Sequence, residues 1–190
     1  MLGFETARLR MRPLDETDEA LYCGLYTDAE TMRYICAPFS VRSASRNFRA
    51  LIAQPRPRVG PYLFAVLQRG TLRRIGICAA VRIDEQAARA EVGVMLKSDA
   101  RGQGFARESL NGMVHNTFRA HPVETIWVQC SALNPVVERM VRSIGFVLDE
   151  AAAGAGPLLQ RTWSVRRLSW CFVDTTNYRG DVHVERHQVS

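Results

Sequence analysis

The sequence predicts an α+β fold, a mixed and mostly antiparallel sheet with helices on both faces. Three observations carry this. Apolar alternation of period two runs through the middle of the chain, apolar spacings of three and four lie on both sides of it, and Gly or Pro marks the junctions.

Residues 6–14 alternate, with Leu9 and Met11 on one side and Arg8, Arg10 and Arg12 on the other, as in a half-buried strand ended by Pro13. Asp15 or Thr17 then caps a helix reaching about Tyr26, a short helical piece covers residues 29–35, and residues 43–52 form another amphipathic helix. The prolines of residues 54–61 require a loop. Residues 62–67 and 74–83 read as a hairpin around Arg69-Gly70-Thr71. Residues 90–96 are apolar apart from Glu91, the pattern of a central strand covered on both faces. A polar turn over residues 97–104 leads into a helix whose Ala106, Leu110, Met113, Val114, Thr117 and Phe118 share one face. A strand over 125–130 follows, then a helix opened by Asn134-Pro135 and closed by Gly145. Strands over 146–148 and 158–165 flank a loop at 151–157. Residues 1–173 thus read as one domain and 174–190 as a polar, frayed tail.

Composition excludes several classes. With 190 residues, 47% hydrophobic and 23% charged, the chain is globular rather than disordered or fibrous. No apolar run reaches the roughly 18–20 residues that cross a bilayer, and the charged start lacks the apolar stretch of a signal peptide. The five cysteines (Cys23, Cys36, Cys78, Cys130 and Cys171) have no CxxC spacing. They read as reduced thiols in a cytoplasmic protein, and neither they nor the histidines suggest a metal site. The net charge of +6 suits anionic partners, but the arginines are dispersed, so nucleic acid is a weak inference.

The informative segment is Arg101-Gly102-Gln103-Gly104-Phe105-Ala106, between an apolar strand and an amphipathic helix. A helix start leaves about four backbone N–H groups unpaired, with partial positive charge. A tight turn ahead of it gathers further amides into a nest for phosphate. Gly102 and Gly104 permit that turn and hold no Cβ between an anion and the backbone, while Arg101 adds a cation at the rim. The segment lacks the third glycine of a dinucleotide fingerprint and the Gly-Lys-Ser/Thr of a Walker loop.

In its context this segment resembles motif A of the GNAT N-acetyltransferases, whose loop holds the diphosphate of coenzyme A. Asn134, ahead of Ile144-Gly145-Phe146, matches that family's N-x(10)-G-[FM] segment. The opening Glu5-Thr6-Ala7-Arg8-Leu9-Arg10-Met11-Arg12-Pro13-Leu14 and Ala90-Glu91-Val92-Gly93 resemble the RimJ/RimL-like subgroup that acetylates ribosomal-protein N-termini. The resemblance spans about residues 5–170. It implies a splayed sheet with the pantetheine arm of acetyl-coenzyme A in the gap, bonded to backbone of Val94, Met95 and Leu96. It further implies that residues Arg101, Gly102, Gln103, Gly104, Phe105 and Ala106 take the diphosphate and that the Asn134 amide bonds pantetheine.

Acetyl transfer to an amine requires a base, because an ammonium has no lone pair, and a donor for the leaving thiolate. Glu91, the one carboxylate in an apolar strand, is the candidate base, since burial raises a carboxylate's pKa. The alternative is a strand-end glutamate paired with Arg89 or Arg82. The tyrosine that many members carry seven residues after the asparagine is Val141 here, and the small polar residue three after it is Val137. Ser131 or a water is the substitute donor; Cys130 reads as a core thiol. Early helices and final strands would build the acceptor pocket, with Tyr34, Phe39 and Trp163 as lining or core residues.

The leading expectation is an N-acetyltransferase, monomeric or homodimeric, acting by direct attack in a ternary complex on a protein N-terminus or small-molecule amine. A coenzyme A-binding module without catalysis and a basic ribosome- or RNA-binding protein are the other classes.

Overall fold

The computed structural model describes residues 3–53, 61–150 and 159–170. The chain runs β1 (Phe4–Glu5), β2 (Leu9–Pro13), α1 (Glu19–Thr27), α2 (Ala29–Met32), α3 (Val41–Ala53), β3 (Tyr62–Gln68), β4 (Arg74–Asp84) and β5 (Arg89–Leu96). It continues with α4 (Phe105–Ala120), β6 (Thr125–Ser131), α5 (Pro135–Ser143), β7 (Val147–Leu148) and β8 (Gln160–Arg166). One sheet contains the eight strands in the order β1-β2-β3-β4-β5-β6-β8-β7. Every neighbouring pair is antiparallel except β5 and β6, which α4 joins as a parallel crossover.

Each face of the sheet buries its own core. On one, Leu110, Met113, Val114 and Phe118 of α4 and Val141 of α5 pack against Val66, Ala90, Val92, Ile126 and Trp163. On the other, Leu21, Tyr22 and Leu25 of α1 and Phe48 of α3 pack on Ala65, Leu67 and Ile77. Each such fully buried apolar side chain contributes about 1.5–3 kcal/mol. The α4 positions recur at steps of three and four, so the helical stripe expected from the sequence is the face that docks.

One expectation changes. Residues 6–14 are not a continuous strand: β1 and β2 are short antiparallel strands, and Thr6 turns the chain by donating its N–H to the Leu9 carbonyl at 2.9 Å. The interruption is held by a carboxylate from α4, described below. The loop expected at 151–157, most of that at 54–61, and the tail at 174–190 lie outside the described residues.

Asp15 caps a short turn before α1, and Asp18 lies fully buried behind it. The Asp18 carboxylate accepts two bonds from Arg12, at 2.7 and 2.9 Å, and pairs with Arg74 Nε at 2.9 Å. One buried anion therefore ties the start of α1 to β2 and β4.

Candidate functional site

The sheet opens where the two parallel strands part. β5 pairs with β6 through Arg89–Thr125, Ala90–Ile126 and Glu91–Trp127 only. Beyond Glu91, β5 stays paired with β4 as far as Leu96 opposite Gly76, while β6 continues to Ser131 against β8. The β6-facing edge of β5 over Val92–Leu96 thus has no strand partner among the described residues. Val94 and Met95 are half-buried there; the Leu96 carbonyl accepts from Arg101 Nε at 3.3 Å. Because β5 and β6 are parallel, the helices that follow them, α4 and α5, both begin at the open end of this gap.

The two helix starts are finished differently. Asn134 caps α5, its Oδ1 accepting from Val137 N–H at 3.3 Å. Gly104 is the N-cap of α4 and brings no capping side chain, so the first amides of α4 stay open. Gly102 and Gly104 have φ of 74° and 79°, a left-handed backbone that disfavours a Cβ. Gly102, Gln103 and Gly104 are exposed, whereas Phe105 is buried beneath them and Ala106 is half-buried. An uncapped helix start behind two left-handed glycines fits the diphosphate of coenzyme A, whose negative charge complements the amides.

Glu91 lies at the closed end of the gap. Ala90 and Val92 belong to the α4-side core and Met95 packs on the α1–α3 side, so alternation puts Glu91 on the latter face with Gly93 and Met95. It is half-buried and forms no ion pair among the described residues. Burial pushes its carboxyl above the ordinary range, and the positive charge of Arg82 opposes that shift in part. A cation opposite a glutamate was the alternative reading; here Arg82 acts at longer range than a salt bridge. Ser131 ends β6, buried, with its Oγ accepting from Leu133 N–H at 3.1 Å. Val141 is wholly buried in the core. A tyrosine at that place would have to displace packed side chains, so α5 offers no acid there. Cys130 is a core thiol, pushed by burial up to about 11. Trp163 is in the core, and Phe39 stacks on Tyr26 at 5.4 Å.

The family model of the GNAT acetyltransferase domain matches residues 8–147. The chain belongs to the GNAT acetyltransferase family. An uncharacterized N-acetyltransferase, p20 of Bacillus licheniformis, is 25% identical over 142 residues, covering 74% of this chain and 80% of the relative. The crystal structure of spermidine N-acetyltransferase from Vibrio cholerae, in complex with CoA and spermine, aligns with TM-score 0.72 at 18% identity, over 86% of this chain and 98% of that one. RimL, a ribosomal alpha-N-protein acetyltransferase solved with coenzyme A, aligns with TM-score 0.70 at 15% identity, over 85% and 98% of the two chains.

This acetyltransferase therefore uses acetyl-coenzyme A as its acyl donor. No helix among its described residues is long and apolar enough to cross a membrane.

Around the glycine turn before α4, the structure adds residues that sequence reasoning did not single out. The Arg8 guanidinium lies 4.7 Å from the centroid of Phe105, donates to the Gln103 carbonyl at 3.0 Å, and sits beside Gly104. Glu108, buried in the first turn of α4, holds Arg8 in place. One signal was present: Phe105, Glu108 and Gly112 fall at steps of three and four, so the acetyltransferase's α4 carries a carboxylate on a face that packs. Arg101, expected as a rim cation, spends its donors on Leu96 O, on Glu30 at 2.9 Å and on Thr31 Oγ1 at 2.6 Å. It fastens α2 to the end of β5.

Proposed function

We propose that this protein is an N-acetyltransferase that moves the acetyl group to a primary amine by direct attack within a ternary complex, with Glu91 as the base. One observation carries the reading: the pairing of β5 with β6 ends at Glu91, so the gap opens beside the one half-buried carboxylate of the central strand. Acetyl-coenzyme A supplies an activated thioester. The amides of Gly102, Gln103, Gly104, Phe105 and Ala106, with Arg101 behind them, would hold its diphosphate, the Asn134 amide its pantetheine, and the edge of Val94, Met95 and Leu96 its amide groups. Glu91 would take the amine proton, directly or through water, from the α1–α3 face. The Ser131 hydroxyl would donate to the thiolate as it leaves. Amine acceptors are consistent with the names of the two structural neighbours, one a spermidine and one a ribosomal-protein acetyltransferase. A protein N-terminus, as in the RimJ/RimL-like subgroup, and a small-molecule amine are both within this reading.

The test is thiol release from acetyl-coenzyme A over a panel of peptides and small amines. Release that saturates with one amine class supports the assignment. A second reading, coenzyme binding without catalysis, draws on Val141 standing in the core where an acid is common. Tight acetyl-coenzyme A binding with no release for any amine would favour it.

A further inference from the structure

The register of β4 changes beside Glu91. Ala80 faces Val92 and Arg82 faces Glu91, so Val81 is an extra residue in β4 with no partner of its own in β5. Such a bulge redirects the side chain that follows it. In a regular ladder Val81 would face Glu91, and Arg82 would face Ala90, which belongs to the α4-side core. The bulge exchanges these places. Arg82 becomes the cross-strand neighbour of Glu91 on the α1–α3 face, and Trp127 is the neighbour on the other side.

This row has room above it. Along β5 the next residue on the face is Gly93, and a Cβ there would meet nothing within 4 Å. Gly93 pairs with Ala79, another small side chain. Trp127 is half-buried and belongs to neither apolar core. Arg82 is exposed and in no ion pair among the described residues, unlike Arg12, Arg74 and Arg101, each of which holds a carboxylate. The carboxylates of the neighbouring helices are already engaged: Glu19 by Arg49 and Ser45, Asp28 by the Thr31 cap, and Glu30 by Arg101. A polycation approaching this face would meet arginine beside Glu91, and Asp84, two residues along β4 from Arg82, already accepts from Ala87 N–H at 2.9 Å.

We infer that Arg82, turned onto the Glu91 face by the Val81 bulge, forms an anion subsite, and that the acceptor is a primary amine bearing a carboxylate. The inference rests on Glu91 marking the acceptor side. Neighbouring strands lie about 4.8 Å apart, so one acceptor can present its amine to Glu91 and a nearby carboxylate to Arg82. The carboxylate can be that of a free amino acid or an acidic side chain in a peptide that offers its N-terminus.

The experiment is calorimetric titration of the coenzyme A-loaded protein, which reads acceptor binding whether or not turnover follows. The probes are L-glutamate against L-glutamine amide, a peptide beginning Ala-Glu-Glu against one beginning Ala-Gln-Gln, and spermidine. The expected result is that one acidic probe binds at least about tenfold more tightly than its neutral partner, as a charge-assisted bond implies. Glutamate alone identifies a free amino acid, and the acidic peptide alone identifies a polypeptide. R82Q removes that preference, R82K keeps part of it, and coenzyme A affinity measured on each variant reports that the fold is intact. Spermidine binding more tightly than both acidic probes, no preference in the unaltered protein, or an undiminished preference in R82Q would each overturn the subsite. Amine-independent thiol release would instead remove the transfer reaction and leave this binding result standing.

Discussion

Arg8 and Glu108 are 100 residues apart in the chain, yet the Glu108 carboxylate accepts from both the backbone N–H and the Nε of Arg8, at 2.8 and 2.7 Å. Thr6 Oγ1 completes the set at 2.6 Å. A carboxylate in the first turn of a helix gains from the helix dipole, and here it also fixes the interruption between β1 and β2. The held guanidinium reaches across to the Gln103 carbonyl, so the shape of the glycine turn before α4 depends on a residue from the far edge of the sheet.

Arg8→Ala should therefore act twice. Glu108 keeps two neutral donors but loses its counter-ion, a cost of about 1–3 kcal/mol given that Arg8 is partly exposed. The loop loses its tie at Gln103, so acetyl-coenzyme A should bind several-fold more weakly. Urea unfolding and calorimetric titration measure the two effects separately. Lost stability with unchanged affinity would show that the clasp holds the fold without shaping the loop.

The two loop glycines should differ in their response. Both have positive φ, so any Cβ costs about 1–2 kcal/mol of backbone strain. A Cβ on Gly102 meets nothing within 4 Å, whereas one on Gly104 lies 3.3 Å from Arg8 Nη2. Gly102→Ala should lower stability modestly and leave much of the coenzyme affinity. Gly104→Val adds a displaced arginine and crowds the open amides, and should weaken acetyl-coenzyme A by tenfold or more. Affinity unchanged from the unaltered protein in both variants would remove the loop from the coenzyme site.

Local signals and distant ones divide what the sequence could tell. The stripe Leu110, Met113, Val114, Phe118 and the Asn134-Pro135 start are local, and α4 and α5 appear where they were expected. The glycine turn is also local, because positive φ narrows the choice of residue. The clasp of Glu108 on Arg8 joins residues that no periodicity connects, and without it residues 6–14 read as one strand. The capture of Arg101 by α2 and the bulge that turns Arg82 to Glu91 are equally non-local. Asp18 draws no reading from the sequence, because nothing adjacent to it announces Arg74, the second arginine that pairs with it.

That buried anion gives a stability prediction independent of catalysis. Asp18→Asn leaves Arg74 without a counter-charge and Arg12 with Asp15 alone, at 2.9 Å, and because both arginines are partly exposed the cost is about 1–3 kcal/mol. Arg74→Met should cost less, because Arg12 still holds Asp18 with two bonds. Chemical denaturation of the two variants checks the order. A larger loss for Arg74→Met would mean that its aliphatic stem, and not the ionic cluster, anchors α1.

Glu91 supplies the pH dependence. Its carboxyl is raised by burial, so it ionises at a higher pH than an unfolded glutamate, near 4.3. With Glu91 as base, kcat should rise with pH along a limb set by that raised value, since only the carboxylate accepts the amine proton. Glu91→Gln should lower kcat by about 10²-fold or more and abolish the limb, while acetyl-coenzyme A still binds. The effect on stability has a definite sign. A folded pKa above the unfolded one means that the native state binds more protons between the two values, so stability falls as pH rises through that interval. The destabilisation is complete above the folded pKa and absent below the unfolded one. Glu91→Gln should accordingly be more stable than the unaltered protein at neutral pH, with the difference vanishing in acid. Removing Arg82 takes away the opposing charge, so R82Q should move the kcat limb to higher pH. Thermal denaturation and kcat measured across pH on the three proteins decide the matter: a limb that survives in Glu91→Gln belongs to another group, and Glu91 is then not the base.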